Sequence, residues 1–311
     1  MLNVRAGAGI LLLGTALALP AMAQTQAQPQ AQPQAAPPKA AADSGAAQAA
    51  PPSAADLARQ LSNPVASLVS VPFQFNWDQP VGPDDATRFV LNVQPVIPFS
   101  LNDDWNLILR WIMPYIGQPA LFEGGVPTSG MGDIVASAFF SPAKPGRFIW
   151  GAGPVFLLPT NANPVLGSAK WSAGPTFVIL RQSGQWTFGM LVNHLWSFAG
   201  SDVSSGVERG DINASFLQPF ASYTTKNSVT MGVSVEASGN WRLYNQGPGG
   251  SLEQVDGTQW TVPIMFTASK LTRFGPFPMS IGGGVGWFAT ASDGGPSWRL
   301  RMTGTLLLPR R

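Results

Sequence analysis

The only histidine, His194, is followed three residues later by Ser197. A serine beside a histidine can form a nucleophile and general base for acyl transfer. On a strand, however, residues three apart point to opposite faces unless a bulge intervenes, and no G-x-S-x-G is present. His194 is therefore expected in a membrane-boundary belt or a lumen, not in a pair with Ser197. With one histidine and no cysteine, metal sites built on those ligands are excluded. Gly282-Gly283-Gly284 has no Lys-Ser/Thr after it and sits inside a strand pattern, so it serves packing or curvature rather than phosphate binding. Asp84-Asp85 and Asp103-Asp104 read as solvated turn carboxylates rather than a Ca²⁺ site. No catalytic residue, metal or cofactor is indicated, and the expectation is a protein that is not an enzyme.

The remaining chemistry lies in scattered polar residues that alternate with apolar ones: Arg88, Asn92, Gln94, Arg110, Asp211, Glu236, Arg299 and Arg301. Among them on the same strand faces stand Val90, Ile108, Ile112, Phe139, Leu157, Leu180, Leu217 and Met265. Two readings stay open. The charges pair internally and fill a narrow space, or they line a pore with a cationic constriction and apolar patches suited to small amphipathic or aromatic solutes.

The elements carrying these residues are about a dozen short alternating runs, near 66–77, 87–99, 104–115, 132–141, 148–159, 169–181, 185–198, 210–223, 228–238, 259–270, 277–289 and 297–308. Odd gaps such as 78–87, 117–130 and 160–169 are long, whereas even gaps such as 100–103, 141–146 and 182–184 are short. Short periplasmic turns and longer extracellular loops give an outer-membrane β-barrel this asymmetry. Successive side chains on a strand face opposite ways. Trp298, Leu300, Met302, Leu306 and Leu308 thus oppose Arg299, Arg301, Thr303 and Thr305, and Trp105, Leu107, Leu109, Trp111 and Met113 oppose Asn106 and Arg110. The arginines fall on strands two, three and twelve. Strand twelve closes beside strand one, so they can form one basic wall.

Composition agrees. Only 11% of residues are charged and 45% are hydrophobic, where soluble proteins carry about 25% charged residues. Beyond residue 23 no apolar run reaches the ~18–20 residues of a spanning helix. A net charge of +2 without a basic cluster argues against nucleic-acid partners. With the first strand running outward, Trp77, Trp171, Trp196, Trp260, Trp287 and Trp298 fall at outer ends. Trp241 falls just beyond one, and Trp105, Trp150 and Trp186 fall at inner ends. Indoles favour the membrane–water boundary. A soluble sandwich, by contrast, would gather them in a dry centre.

Before the barrel, Arg5, an apolar stretch over 10–19 and Ala21-Met22-Ala23 read as a secretory signal peptide, 1–23. Residues 24–52, rich in Ala, Gln and Pro, read as a disordered periplasmic tail. Over 53–64, Ser53 can cap a helix at 54–61 that Pro64 keeps short, either a lead-in to strand one or a partial plug of the periplasmic mouth. The barrel domain takes 65–311. Its last strand lacks the terminal aromatic residue usual in such barrels. Prolines at 72, 95, 154, 175, 219 and 263 interrupt strand patterns, either at bulges or at breaks that open a lateral gap.

A set of segments carries a resemblance. It comprises Asn63-Pro64-Val65-Ala66-Ser67-Leu68 running on to Gln74, Gln94-Pro95-Val96-Ile97-Pro98-Phe99, Gly132-Asp133-Ile134, Gly153-Pro154-Val155-Phe156-Leu157-Leu158-Pro159-Thr160, Lys170-Trp171 with Gly174-Pro175, and Asn193-His194-Leu195-Trp196. From about residue 56 to its end the chain resembles bacterial outer-membrane proteins labelled "MetA-pathway of phenol degradation", also mislabelled neuromedin U. The resemblance implies an outer-membrane barrel that takes up aromatic or other hydrophobic compounds; it supplies no catalytic or substrate residues. The expected protein is a monomeric barrel of about twelve strands, in contact with outer-membrane lipid and lipopolysaccharide, passing small solutes passively. A lipid-modifying enzyme, or a surface-interaction barrel with 239–258 as its binding loop, are the alternatives.

Overall fold

The computed structural model describes residues 53–204, 207–246, 252–275 and 277–308. The signal peptide and Ala/Gln/Pro-rich tail expected over 1–52 lie outside the described residues. Twelve antiparallel strands close into a transmembrane barrel. They are β1 (Val69–Val81), β2 (Ala86–Val93, resumed as Val96–Ser100), β3 (Trp105–Gln118), β4 (Thr128–Met131, resumed as Ile134–Pro142), β5 (Ile149–Leu158) and β6 (Lys170–Ser183). The second half comprises β7 (Trp186–Gly200), β8 (Asn213–Thr224), β9 (Val229–Val235, resumed as Ala237–Asn240), β10 (Gln259–Thr261, resumed as Pro263–Phe274), β11 (Phe277–Phe288) and β12 (Trp298–Leu308). Each strand pairs with its chain neighbours. β12 returns to β1 in an unbroken register from Val69↔Leu308 to Gln79↔Trp298, which removes the edges an open sheet would expose.

The two faces separate sharply on β12. Trp298, Leu300, Met302 and Leu308 are 44%, 42%, 54% and 38% exposed, while Arg301 between them is 4% exposed. A soluble protein would bury the first set and expose the arginine, so this is the inverted arrangement that acyl chains require. Indoles, exposed or half-buried, gather at both ends. Trp105 meets Trp150 edge-on at 5.9 Å near the periplasmic turns, and Trp241 meets Trp260 at 5.8 Å on the extracellular side.

Helix α1 (Ala54–Gln60) is capped by Ser53, whose Oγ accepts from the Asp56 backbone N–H at 3.1 Å. Arg59 donates through Nη1 to the Gly184 carbonyl on the β6–β7 turn (2.9 Å), and Gln182 Nε2 donates back to the Arg59 carbonyl (3.0 Å). Ala58 packs with Leu271 and Leu307. Val65 reaches further in, to an apolar cluster of Ile108, Phe139, Val178, Leu180 and Leu191. The segment between Ser53 and β1 therefore enters the periplasmic mouth before the first strand begins.

Three details correct the sequence reading. β1 continues to Val81, so Asp78 is a strand residue 1% exposed rather than the start of a loop. On β8 the inward residues are Phe216 and Phe220, which pack on the internal cluster, so Leu217 faces outward. The prolines interrupt pairing without bulges. The β4–β5 register is the same on both sides of Pro154 (Ser137↔Val155, Phe140↔Ala152), and the β6–β7 register is the same on both sides of Pro175 (Ala173↔Trp196, Thr176↔Asn193). Pro154 and Pro175 are themselves cross-strand partners. Pairing resumes within two residues, too short an interruption for a lateral opening. Proline has no N–H to offer the facing carbonyl, and at Pro154 and Pro175 the glycine before the proline lets the backbones close up instead. A Cβ at Gly153 would lie 1.9 Å from the Ala138 carbonyl oxygen, and one at Gly174 1.8 Å from that of His194. Gly174→Ala is therefore expected to destabilise the barrel by about 1–3 kcal/mol, the usual cost of overpacking. A lower urea midpoint for the heat-modifiable band would show it; an unchanged midpoint would contradict the close approach.

Candidate functional site: the polar lumen

The closure of β12 on β1 brings polar residues from β1, β2, β3, β9 and β12 into one network. Arg301 extends Nη1 and Nη2 to the Glu236 carboxylate at 2.6 and 2.9 Å, and Nε to Asn76 Oδ1 at 2.7 Å. Arg299 clamps Asp78 through Nε (2.5 Å) and Nη2 (2.8 Å), and its Nη1 lies 3.4 Å from Glu236. Gln74 lies between Asn92, Gln94 and Arg301, with its amide nitrogen and oxygen within 3.0 to 3.2 Å of their polar groups. Arg110 donates through Nη2 to Gln94 Oε1 at 2.9 Å. Arg88 stands opposite Asp78 in the β1–β2 register, its Nε without a hydrogen-bond partner.

Seven of the eight residues singled out from the sequence thus lie in or beside one cluster. The eighth, Asp211, does not. It precedes β8 on the extracellular side, 49% exposed, 2.8 Å from Arg242 and 3.5 Å from Lys170. Burial alone would raise its pKa, but the Ser197 hydroxyl and the Lys170 and Arg242 charges outweigh this and hold the carboxyl below its ordinary value. Gln74, Asn76 and Asp78 were missed, although their alternation with Phe73, Phe75 and Trp77 marks the same inner face. A first strand ended at residue 77 leaves Asp78 in the long gap 78–87, and that hid the acid partner of Arg299.

Four guanidinium groups (Arg88, Arg110, Arg299, Arg301) meet two carboxylates (Asp78, Glu236) in this cluster. Arg299 and Arg301 are paired; Arg110 has only an amide partner. Two internal cavities flank it. The lower, about 360 Å³, lies against the N-terminal segment at Leu61, Asn63 and Ala66. The upper, about 340 Å³, is bordered by Asn92, Ile112, Phe139, Leu191, Phe216 and Glu236. Gln94, Arg110 and Gln218 line both and form the neck between them. His194 is elsewhere: Asn193 and Leu195 face the upper cavity, so His194 faces outward beside Trp196, and Ser197 instead donates to Asp211 at 3.1 Å.

No protein-family model matches the sequence, and no curated protein does so either. Among solved structures, the COG4313 outer membrane channel from Pseudomonas putida F1 superposes with a TM-score of 0.59 at 17% identity, covering 78% of this chain and 94% of that one. The NanC porin gives a TM-score of 0.48 at 7% identity, over 78% of this chain and 100% of its own. At these identities the likeness is one of fold, that of outer-membrane barrels.

Removing one member of a buried ion pair leaves the other charge uncompensated, typically at a cost of about 3–5 kcal/mol. Glu236→Gln should lower unfolding stability in lipid by that order; a urea midpoint equal to wild type would show that Arg299 and Arg301 do not depend on it.

Proposed function

We infer that the protein is an outer-membrane channel that passes small solutes, aromatic or hydrophobic in part and with a preference for negative charge. The observation that carries this reading is the neck: Arg110 lines both cavities and no carboxylate bonds to it. In a low-dielectric enclosure such a charge acts at a strength bulk water would screen. Around it Ile112, Phe139, Leu191 and Phe216 supply apolar walls, so a solute with an apolar body and an anionic or hydrogen-bonding tip finds complementary surface in one step. The family likeness read from the sequence, that of the phenol-degradation label, supports the aromatic part. The fold it shares with an outer membrane channel supports the transport part. The protein acts as a monomer in this reading, with its exported chain folded into outer-membrane lipid. The segment before β1 partly fills the periplasmic mouth and narrows the path.

In planar bilayers under a salt gradient, the wild type should favour anions. Replacing both Arg110 and Arg301 with Ala should move the reversal potential toward cation preference, and an unchanged potential would refute the arginine-lined path. Deleting residues 53–62 should raise single-channel conductance; equal conductance would mean the segment does not obstruct flow. Liposome swelling with sugars, amino acids and phenolics ranks the solutes, and no swelling with any of them would remove the channel reading.

A further inference from the structure

On the outer wall, away from the lumen, β7 and β8 place three side chains together that the channel does not use. His194 and Ser215 are cross-strand partners, and Asn213 shares their face two residues before Ser215. Asn213 pairs with Trp196, which is 49% exposed, and Ser215 pairs with His194, so Asn213 and Ser215 share the outer face, with Ser215 also bordering the upper cavity. His194 Nδ1 lies 2.7 Å from Ser215 Oγ, His194 Nε2 lies 2.9 Å from Asn213 Oδ1, and Trp241 Nε1 donates to Ser215 Oγ at 2.8 Å. Asn213 Oδ1 only accepts, so Nε2 carries the imidazole hydrogen. A neutral ring has one N–H, so Nδ1 presents its lone pair and Ser215 donates its hydroxyl proton to it. The Ser215 oxygen then accepts from Trp241.

We propose that Ser215, His194 and Asn213 form a lipid-facing acyl-transfer site for carboxylic esters of membrane lipids. A serine hydrogen-bonded to a histidine, itself oriented by a third side chain, is the arrangement that activates a hydroxyl nucleophile. The surroundings select the substrate. Trp196 lies against His194 with ring centroids 4.1 Å apart, and Trp241 and Trp260 flank the other side. Indoles collect at the membrane boundary, the depth at which a lipid's ester groups meet its apolar chains. Trp196 and Trp241 are 49% and 46% exposed, and Asn213, His194 and Ser215 are half-buried beside them, which puts the cluster at the outer surface of the barrel.

In the step assigned here, Ser215 Oγ attacks the ester carbonyl carbon as its proton passes to His194 Nδ1. Asn213 keeps the ring in place by accepting from Nε2. The carbonyl oxygen becomes an oxyanion, and Trp241 Nε1–H, released from Oγ, is the donor within reach of it. The C–O bond to the lipid alcohol breaks as His194 returns the proton to the departing oxygen, leaving an acyl-serine. Interfacial water, deprotonated by His194, then attacks the acyl carbon, frees the carboxylic acid and restores the serine. Asn213 orients the ring but lends no negative charge, so a covalent trap is a better probe than turnover.

The test treats folded full-length protein in lipid–detergent micelles with a long-chain alkyl fluorophosphonate and maps the adduct by peptide mass. The expected result is a single adduct on Ser215, absent in Ser215→Ala and formed at least about 100-fold more slowly in His194→Gln, the scale of a lost general base. Asn213→Ala should slow it less and shift the pH profile of labelling, which a purely structural role would not do. Folding of each variant is checked by heat modifiability. No adduct on Ser215 of the wild type, or labelling of folded His194→Gln at the wild-type rate, overturns the proposal. The wild-type map decides even where a variant fails to fold.

Discussion

A closed sheet in a membrane leaves each strand residue one of two environments. Successive side chains alternate between acyl chains and lumen, and closure of β12 on β1 leaves no edge at which that choice can be evaded. The rest follows from this constraint. Leu300 and Met302 lie outside because lipid accepts them, and Arg299 and Arg301 lie inside because lipid does not. Once inside, in a lumen narrow enough for Phe139 and Ile108 to be almost fully buried, the arginines need partners. Asp78 and Glu236 supply them.

The same constraint explains why the lumen is only partly neutralised. The β1–β12 register sets Asp78 beside Arg299 and Asn76 beside Arg301, so the Arg299–Asp78 ion pair bridges neighbouring strands and helps hold the last strand to the first, whereas Arg301 reaches Glu236 on β9. Arg110, on β3, has only Gln94 to bond to. The Arg299–Asp78 pair therefore serves closure, while Arg110, to which no carboxylate hydrogen-bonds, stands at the neck between the two cavities. The N-terminal segment joins in by covering apolar lumen wall near the periplasmic turns, where Ala58 meets Leu271 and Leu307.

Much of the architecture was legible because alternation and gap length are local properties of the chain. β3 and β12 have one clearly apolar and one clearly polar face, and their orientation reads directly. β8 does not: Phe216 and Leu217 are adjacent, as are Phe220 and Ala221. Either parity satisfies the pattern there, and treating Asp211 as inward chose the wrong one and took Leu217 with it. Ending the first strand at residue 77 left Asp78 in the long gap 78–87 and concealed it. The contact of His194 with Ser215 depends on the register between two strands, which turn geometry and closure set and neither segment encodes alone. The prolines at 154 and 175 suggested bulges, yet glycine on the residue before each absorbs the missing donor without a register shift.

The most direct measurement uses the absence of native cysteine. Single cysteines placed in turn along β12 at Met302, Thr303, Thr305 and Leu306 are challenged in proteoliposomes with a small charged thiol reagent and with a lipid-dissolved one. Thr303 and Thr305, which line the lower cavity, should react with the charged reagent, whereas Met302 and Leu306 should react only with the lipid-dissolved one. The reverse pattern, or equal reaction at all four, would contradict the assignment of faces on which the barrel, the ionic lumen and the lipid-facing site all rest.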